Sequence, residues 1–451
     1  MSDIASPEVS TDLLHDLVAA ALRAGADAAE AVTAERRALS VGVRNGALED
    51  VEREESRDLG LRVFVGRRQA SVSASDLSPA TQARLIERVV AMARLAPEDP
   101  YAGLAPEDRL NRGPHRDLDL YDSAERSAAE LEAVAAEAEA VALAVEGVVR
   151  SEGGHASTSS STWRLVTSHG FDGRYEGSAF SLGVGVIAEQ DGAMERGGES
   201  RTTRWLDDLP EAWTIGAEAG RKAVARVGPR KIASTTAPVI FENRVAAQIL
   251  SPLLGAISGP SIARGVSFLK DRMGQTILPT SMSLIDDPFR PRGLASTPFD
   301  DEGVTVEKRH LIDDGVLTTW LHNSASAAQL GERSTGHASR GLAGPPGVST
   351  HNLHLTQGPR DKAGLMADAG SGLMGTSMFG PSLNANTGDW SAGVSGFWFE
   401  NGELAYPVSE VTVAGNLVDL WARMVAGSDL EFRGGFNSPS LLFDAVAIAG
   451  K

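Results

Sequence analysis

The sequence predicts an α+β protein of two domains, and three observations support this. The chain has 451 residues, enough for two or three domains of ~150 residues each. It contains 48 glycines and 21 prolines but only 5% aromatic residues, which favours strands and loops over a helical bundle. Stretches of helical periodicity and of strict apolar–polar alternation also occur separately along the chain. We expect an N-terminal α+β domain with antiparallel hairpins over residues 1–230 and a mostly β domain over 231–451.

Helices and hairpins alternate in the N-terminal domain. Apolar residues repeat at helical spacing in 11–24, 78–95, 123–145 and 210–225. Asn45-Gly46 separates two alternating segments, 39–44 and 48–52, and is a strong signal for a two-residue hairpin turn. A second hairpin is predicted for residues 59–74, and alternation returns over 148–204.

The C-terminal domain differs in composition and pattern, with more glycine and proline and many short apolar runs. One conspicuous apolar helix is predicted at residues 245–257. We therefore expect a mostly β domain with one buried apolar helix.

Charge and composition exclude several classes of function. The net charge is −18, which repels phosphate backbones, so we expect no nucleic-acid partner. Without cysteine the chain has no disulfide and no thiolate nucleophile or ligand. The first four residues do not begin a signal peptide, and no apolar stretch approaches the ~20 residues of a membrane span. We expect a cytoplasmic protein without membrane contact.

The histidines do not form a recognisable metal motif. None of the nine lies in a His-Glu-x-x-His arrangement, which would place two imidazoles on one helix face. His351 and His354 form the one close pair, but on a strand this spacing puts the rings on opposite faces. A structural role is the preferred interpretation of this pair.

Acidic groups offer a second kind of candidate site: Asp286-Asp287, Asp300-Asp301-Glu302 and Asp313-Asp314. Grouped carboxylates bind hard cations or share a proton. The following Pro288, Gly303 and Gly315 are typical of turns in which Asp accepts backbone hydrogen bonds. The turn interpretation is preferred, and the cation interpretation stays open.

A series of short sequence motifs in the C-terminal half resembles the TldD/PmbA family. In chain order these motifs occupy residues 286–288, 299–304, 311–317, 334–336, 386–389, 395–408, 414–417, 427–430, 438–442 and 449–451. The N-terminal part is similar to the family as well, so the resemblance covers nearly the whole chain.

The resemblance implies that this chain lacks the family's metal site. One branch carries His-Glu-x-x-x-His on a helix, and a C-terminal cysteine completes a metal site that hydrolyses peptides. Here the matching position falls near Ser251, Pro252 and Ala256, and the loop expected to hold the cysteine is shortened to 433–438. All three ligands are missing, as in the PmbA/TldE branch. We therefore predict no catalytic residue and no metal in this chain.

The same resemblance implies a function and a partner. We expect a non-catalytic subunit of a cytosolic metalloprotease complex, paired with a TldD-like subunit that alone holds zinc, acting on unfolded or short peptides. Two alternatives stay open: a homodimeric hydrolase using the acidic clusters with a hard cation, and a peptide-binding dimer without hydrolysis. Whether the chain is itself an enzyme is thus undecided.

Peptide capture in the family is thought to use backbone pairing at a sheet edge. The Gly- and Ser-rich segment 389–398 suits this mode, because small side chains admit a second backbone. Thr387, Gly388, Asp389 and Ser391 are therefore predicted to bind peptide, while a tightly packed β core explains the same small residues equally well. The C-terminal domain is expected to carry the dimer interface, with Trp320, Trp390, Trp398 and Trp421 anchoring either that interface or the core.

Overall fold

A computed structural model describes residues 11–450 and confirms the α+β class. The N-terminal half contains four helices, six strands and two 3-10 turns among the described residues. In chain order these are α1 (Thr11–Arg23), β1 (Ala28–Arg44), β2 (Ala47–Val65), β3 (Arg68–Ala74), α2 (Pro79–Leu95), the 3-10 turn Glu107–Arg109, α3 (Ala128–Leu143), β4 (Val148–Thr167), β5 (Asp172–Gln190), β6 (Ala193–Thr203), the 3-10 turn Leu206–Asp208 and α4 (Ala212–Ala225).

The strands of the C-terminal half are shorter and more numerous. In chain order its elements are β7 (Thr235–Phe241), α5 (Asn243–Ala256), α6 (Gly259–Ala263), β8 (Leu284–Asp287), β9 (Arg309–Asp313), β10 (Val316–Leu317), α7 (Ser324–Leu330), β11 (Ala338–Ser339), β12 (Gly347–Val348), β13 (Asn352–Leu355), α8 (Lys362–Ala369), β14 (Gly372–Leu383), β15 (Asp389–Glu400), β16 (Glu403–Asn416), α9 (Leu417–Trp421), β17 (Val425–Ala426), β18 (Phe436–Asn437) and β19 (Leu441–Ala449).

The N-terminal half is built on one antiparallel sheet in the order β3-β2-β1-β4-β5-β6. The predicted hairpin joins β1 to β2, with Asn45 at φ 54° and Gly46 at φ 73°. Two consecutive positive φ values define the type I′ turn, whose twist matches that of paired strands. Both predicted hairpins are confirmed.

The four helices of this half share one face of the sheet. Ala31 of β1 packs with α1 and α2, while Val41 and Val43 pack with α3 and α4. Val32 belongs to the opposite face and packs near Phe299 of the C-terminal half. Because side chains alternate along a strand, the second face of the sheet is left to contact the C-terminal half.

The larger sheet of the C-terminal half closes on itself. Its order is β16-β15-β14-β7-β19-β17, and β16 also pairs with β19, for example Val413 with Ile448. Five strands thus form a barrel with β17 attached outside it. A second, five-stranded sheet has the order β10-β9-β8-β13-β18.

Helix α5 belongs to the main core of this half. Its buried side chains are Val245, Ala246, Ile249, Leu250, Leu253 and Ala256. They cluster with side chains of the barrel strands, such as Phe241 and Leu373, and Trp421 Nε1 donates to the Ile249 carbonyl at 3.1 Å. The predicted apolar helix is therefore confirmed within two residues at its start and one at its end.

Three of the four C-terminal tryptophans are core residues of a single chain. Trp320, Trp390 and Trp421 are buried, whereas Trp398 is half-buried and packs at the edge of the same core. An anchoring role between subunits is consequently left to Trp398 alone among them. No helix in residues 11–450 is long and apolar enough to cross a membrane, while residues 1–4, used in the signal-peptide argument, lie outside the described range.

Candidate functional site

A cavity of about 500 Å³ lies where β6 of the N-terminal sheet meets the start of α5. Gly198, Glu199 and Ser200 form one wall, and Asn243 and Arg244 of α5 form another. A third wall is formed by the segment 431–437, which includes the loop where the family resemblance places a cysteine. The lining is completed by His155, Val184, Gly185 and Ala247. The cavity therefore adjoins that loop, whereas Ser251, Pro252 and Ala256 lie further along α5 and do not line it.

Glu199 is the electrostatic centre of this cavity. Its side chain is only 3% exposed, and it forms ion pairs with Lys222, Arg244 and Arg433. The Arg433 Nη1–Glu199 Oε1 distance is 2.8 Å. A buried carboxylate requires such partners, because desolvation otherwise disfavours its charge. Glu199 thus ties α4, α5 and the 433–438 loop to the edge of the sheet.

A second acid extends this network along the cleft. Glu431 accepts hydrogen bonds from Arg201 and from Arg433 Nε, the latter at 2.7 Å. Burial would raise the pKa of Glu431, but the hydrogen bonds from the two arginines outweigh it and lower the pKa. Glu431 is therefore held ionised and bound to arginine, and it is not poised for acid–base chemistry.

At the position on α5 where the family's metal motif would lie, the side chains stabilise the helix and are not metal ligands. Pro252 lies inside the helix and has no N–H to donate to the carbonyl of Gln248. The Ser251 hydroxyl donates to that carbonyl at 3.0 Å and replaces the lost hydrogen bond. Ala256 is buried in the core. None of these side chains is a ligand for a transition metal in proteins.

The 433–438 loop is closed by its own hydrogen bonds. Asn437 Oδ1 accepts from the backbone N–H groups of Arg433 and Gly434, and Asn437 Nδ2 donates to the Gly434 carbonyl. Asn437 is buried, so the side chain fixes the loop while Arg433 extends toward Glu199.

A separate buried cluster brings Asp286 together with His337 and His351. Asp286 Oδ2 lies 3.0 Å from His337 Nε2 and 2.6 Å from His351 Nδ1, and Oδ1 accepts from the His351 backbone N–H at 2.8 Å. His337 Nδ1 in turn lies 2.8 Å from Thr335 Oγ1. Burial would raise the pKa of Asp286, but the two imidazole hydrogen bonds outweigh it and lower the pKa. Burial lowers the pKa of His337.

This cluster has the donor types of a metal site but does not fit the centre of a metallopeptidase. Ligands of a tetrahedral zinc are about 3.3 Å apart when the bonds are about 2.0 Å, so 2.6 and 3.0 Å are hydrogen-bond distances. Asp286 and His337 are almost completely buried, which leaves no open position for water or substrate. The cluster is a hydrogen-bonded triad that joins β8 to the segments before β11 and β13.

The structure corrects the sequence interpretation of Asp286 and confirms that of His354. Asp286 is a strand residue, not a turn residue. His351 turns toward Asp286, whereas the His354 ring packs on Phe432 with 5.2 Å between the ring centroids. The two histidines therefore do not share a site, and the structural interpretation of this pair is supported.

Asp300, Asp301 and Glu302 lie in a turn, in agreement with the turn interpretation that the sequence favoured over a cation site. Asp300 Oδ1 accepts from the backbone N–H groups of Glu302 and Val304. Glu302 Oε2 accepts from the backbone N–H of Ser324. Burial and the neighbouring Glu302 raise the pKa of Asp300, and burial raises that of Asp301 to about 6. These carboxylates are buried and bonded to backbone, which argues against an open cation site.

The residues predicted to bind peptide lie at the start of β15. Thr387 Oγ1 donates to Asp389 Oδ2 at 2.7 Å, and Gly388 adopts φ 82° in the turn before the strand. However, β15 is hydrogen-bonded to β14 and to β16, so Ser391 lies on a strand with no free edge. A Cβ at Gly396 would overlap the Met374 carbonyl oxygen. Strand addition to 389–398 therefore has no open edge to use, and the small residue at Gly396 serves packing. Peptide binding by Thr387, Gly388, Asp389 and Ser391 stays a prediction.

Sequence reasoning missed both the Glu199 network and the Asp286 triad. Asp286 is separated from His337 and His351 by 51 and 65 positions, and Glu199 from Arg433 by 234. One local signal was available, since Glu199 stands in an edge strand next to Gly197 and Gly198. Glu199 directly follows these two glycines, but its ionic partners are supplied only by the tertiary fold.

Comparison with known proteins identifies the class as metallopeptidase-related. Models of PmbA/TldA metallopeptidase domain 1, central domain and C-terminal domain match residues 29–93, 121–227 and 234–450. The chain belongs to the PmbA/TldD metallopeptidase family. The first two matched regions share the single N-terminal sheet, because β1 pairs with β4.

Curated relatives and solved structures agree with this assignment. The metalloprotease PmbA of Escherichia coli O157:H7 is 38% identical, covering 100% of this chain and 99% of the relative. A PmbA homolog of Haemophilus influenzae is 37% identical, covering 95% and 94%. A putative modulator of DNA gyrase from Bacteroides thetaiotaomicron has a TM-score of 0.90 at 25% identity, covering 99% of this chain and 100% of that one. TldE from Thermococcus kodakarensis has the same fold, with a TM-score of 0.87 at 22% identity, covering 97% and 100%.

Proposed function

We propose that this chain is the non-catalytic, TldE/PmbA-like subunit of a cytosolic metalloprotease that degrades or processes unfolded and short peptides. Its partner is a metal-bearing, TldD-like subunit. The partner alone holds the zinc, and this chain contributes a wall of the substrate chamber.

The observation that carries the proposal is the absence of ligands where the family resemblance places them. Ser251, Pro252 and Ala256 offer no imidazole, carboxylate or thiolate, and the cavity at the start of the same helix is lined by the ion pairs of Glu199. The cleft's one hydroxyl, that of Ser200, has no hydrogen bond to a base among the described residues. Without a metal-bound water, nothing in the cleft activates a nucleophile for attack on a peptide bond. A zinc ion supplies such a water when bound in an open site, and that site lies in the partner.

The test is reconstitution from two purified chains. The isolated chain, incubated with an unfolded peptide, is expected to show no cleavage above buffer. Addition of a paralogue that carries His-Glu-x-x-x-His is expected to produce cleavage that a chelator abolishes. Robust turnover by the isolated chain would contradict the proposal and favour a homodimeric hydrolase using Asp300, Asp301 and Glu302.

The third function, a peptide-binding dimer without hydrolysis, has one structural observation in its favour. β6 pairs only with β5 among the described strands, and its unpaired edge offers backbone groups to an extended peptide. Peptide binding with no cleavage even after the paralogue is supplied would favour this function.

We propose further that the C-terminal half provides most of the subunit interface. The end of β14 is exposed from Phe379 to Leu383, and these two large apolar side chains are 48% and 38% exposed. Grouped exposed apolar side chains are typical of contact surfaces. Phe379→Ser is expected to weaken association with the paralogue about tenfold without changing the melting temperature. Leu48→Ser is a matched control, since Leu48 is also 48% exposed but lies in β2. Cross-links located mainly within residues 1–230 would contradict this interface.

A further inference from the structure

A second cavity, of about 310 Å³, continues the cleft past Arg433. Its charged lining consists of Arg201, Arg204, Arg290, Arg292, Arg433 and Asp208. Five cations against one acid is unusual in a chain of net charge −18. The cavity lining is therefore locally cationic before the acidic partners of these arginines are counted.

Three of these arginines already have acidic partners. Arg201 and Arg433 bind Glu431, and Arg292 donates to Asp208 at 3.1 Å. Such pairing leaves little charge for a ligand.

The other two arginines have no carboxylate within ion-pair distance in residues 11–450. Arg204 donates only to carbonyl oxygens, from Nη1 to Ser178 at 3.1 Å and from Nη2 to Leu294 at 2.7 Å. The Arg290 guanidinium carbon lies 3.4 Å from the centre of the Phe432 ring. Burial lowers the pKa of both arginines, so neither charge is fully compensated.

The stacking of Arg290 prepares it for an anion. A guanidinium that lies flat on an aromatic ring keeps its N–H groups in the plane, where they form paired hydrogen bonds with a carboxylate. The side chain is thus held in place before a ligand arrives, which reduces the entropy lost on binding.

The second cavity lies beside the end of β6, and this position indicates what kind of carboxylate the cavity binds. Gly198 and Ser200 line the first cavity, and Arg201 and Arg204 line the second. The edge of β6 that is not paired with β5 is free of strand partners among the described residues. An extended peptide along this edge in the direction of β6 would bring its last residue to the arginines.

We infer that Arg204 and Arg290 form a subsite for the C-terminal carboxylate of a peptide lying along β6. The inference rests on the proposed peptide-handling function and adds to it a chain end and a direction. The cleft then prefers short peptides with a free C-terminus over internal segments of a long chain.

Binding, without cleavage, tests the subsite. The probe is an N-acetylated pentapeptide of Ala, Thr and Val, prepared as the free acid and as the C-terminal amide, and titrated by calorimetry into the full chain. The free acid is expected to bind about tenfold more tightly than the amide, the effect of a charge-assisted hydrogen-bond pair. This comparison needs no variant and is independent of whether the assembly with the paralogue cleaves peptides.

Two variants locate the effect. Arg290→Gln is expected to weaken binding of the free acid about tenfold and leave the amide unchanged. Arg116→Gln is the matched control, because Arg116 also lies over a phenylalanine, Phe289 at 4.4 Å, and is not part of the cavity lining. The control is expected to bind both peptides like the unmodified chain.

Three results would overturn the inference. One is equal affinity for the acid and the amide, and another is no measurable binding of the free acid. The third is equally tight binding of an amidated peptide that ends in glutamate, since the pocket would then recognise an acidic side chain and not the chain end.

Discussion

Arg433 and Glu199 are 234 positions apart in the chain, yet Arg433 Nη1 donates to Glu199 Oε1 at 2.8 Å. Arg433 begins the loop in which the family resemblance places a metal ligand. In this chain the loop is bound to the sheet of the N-terminal half by an ion pair. The contact therefore joins the 433–438 loop to β6 and stabilises the junction of the two halves.

Glu199→Gln is expected to destabilise the chain by about 2–3 kcal/mol. It leaves Lys222, Arg244 and Arg433 without their shared counter-ion, and loss of one partner in a buried ion pair is costly. The expected loss of stability is smaller than for a fully buried ion pair, because these three side chains are 22–27% exposed. Urea unfolding measures this loss of stability as a lower midpoint concentration with an unchanged m-value.

Glu218→Gln is the control for this substitution. Glu218 pairs with Lys222 and Arg244 at 3.6 and 3.8 Å and is 28% exposed, so its loss should cost less than about 1 kcal/mol. Equal effects of the two substitutions would contradict a central role for Glu199.

Acidification is expected to destabilise the folded chain, beginning below pH 6.5. Burial lowers the pKa of His337 from its ordinary value of 6.5. On acidification His337 therefore binds a proton in the unfolded chain at a higher pH than it does in the folded chain. Stability is present above this pH and is lost as the pH falls, by about 1.4 kcal/mol per pH unit for such a histidine. Burial lowers the pKa of His115, His155, His169, His322 and His354 in the same direction.

The melting temperature between about pH 7.5 and about pH 5.5 measures this effect. Asp301 acts oppositely, because its pKa is raised to about 6 and the folded chain therefore gains a proton first on acidification. His337→Gln should reduce the slope of melting temperature against pH. A melting temperature independent of pH would contradict the prediction.

The purified chain is expected to contain no stoichiometric zinc. The position on α5 has no ligand, and the Asp286 triad is closed by hydrogen bonds. Elemental analysis after dialysis checks this. About one zinc per chain that disappears in His337→Gln would overturn the assignment of the triad as a hydrogen-bonded cluster.

Gly396→Ala is expected to destabilise the chain by about 3 kcal/mol or more, since the added methyl group overlaps the Met374 carbonyl in the barrel wall. Gly255→Ala on α5 is the control, because no atom lies within 4 Å of its new Cβ and alanine favours a helix by about 1 kcal/mol. Thermal unfolding should therefore shift in opposite directions. Similar losses for both would contradict the packing role of the small residues in β15.

The elements that were predicted correctly depend on neighbours in the sequence. The Asn45-Gly46 turn needs only two residues that tolerate positive φ. Helix α2 begins after Ser78, whose hydroxyl accepts from the Thr81 N–H. In α5 the apolar spacing is itself the signal, because the buried face recurs with the helical period.

The elements that were missed depend on contacts between distant segments. The small residues of 389–398 suit a free edge and a packed strand equally, and only the pairing of β15 with β14 and β16 decides between them. Asp286 followed by Asp287 and Pro288 is typical of a turn, yet two distant histidines make it a buried acceptor. No local pattern contains that information.

The closure of the barrel has a consequence for biosynthesis. β7 pairs with β19, which leaves the ribosome roughly 200 residues later. At about 5–20 residues per second, β7 and its apolar side chains wait some 10–40 s for that partner. The N-terminal sheet is complete by residue 203 and can form meanwhile. A nascent chain halted before residue 441 lacks β19, the strand that joins β7 to β16 and closes the barrel, and would therefore expose the barrel interior.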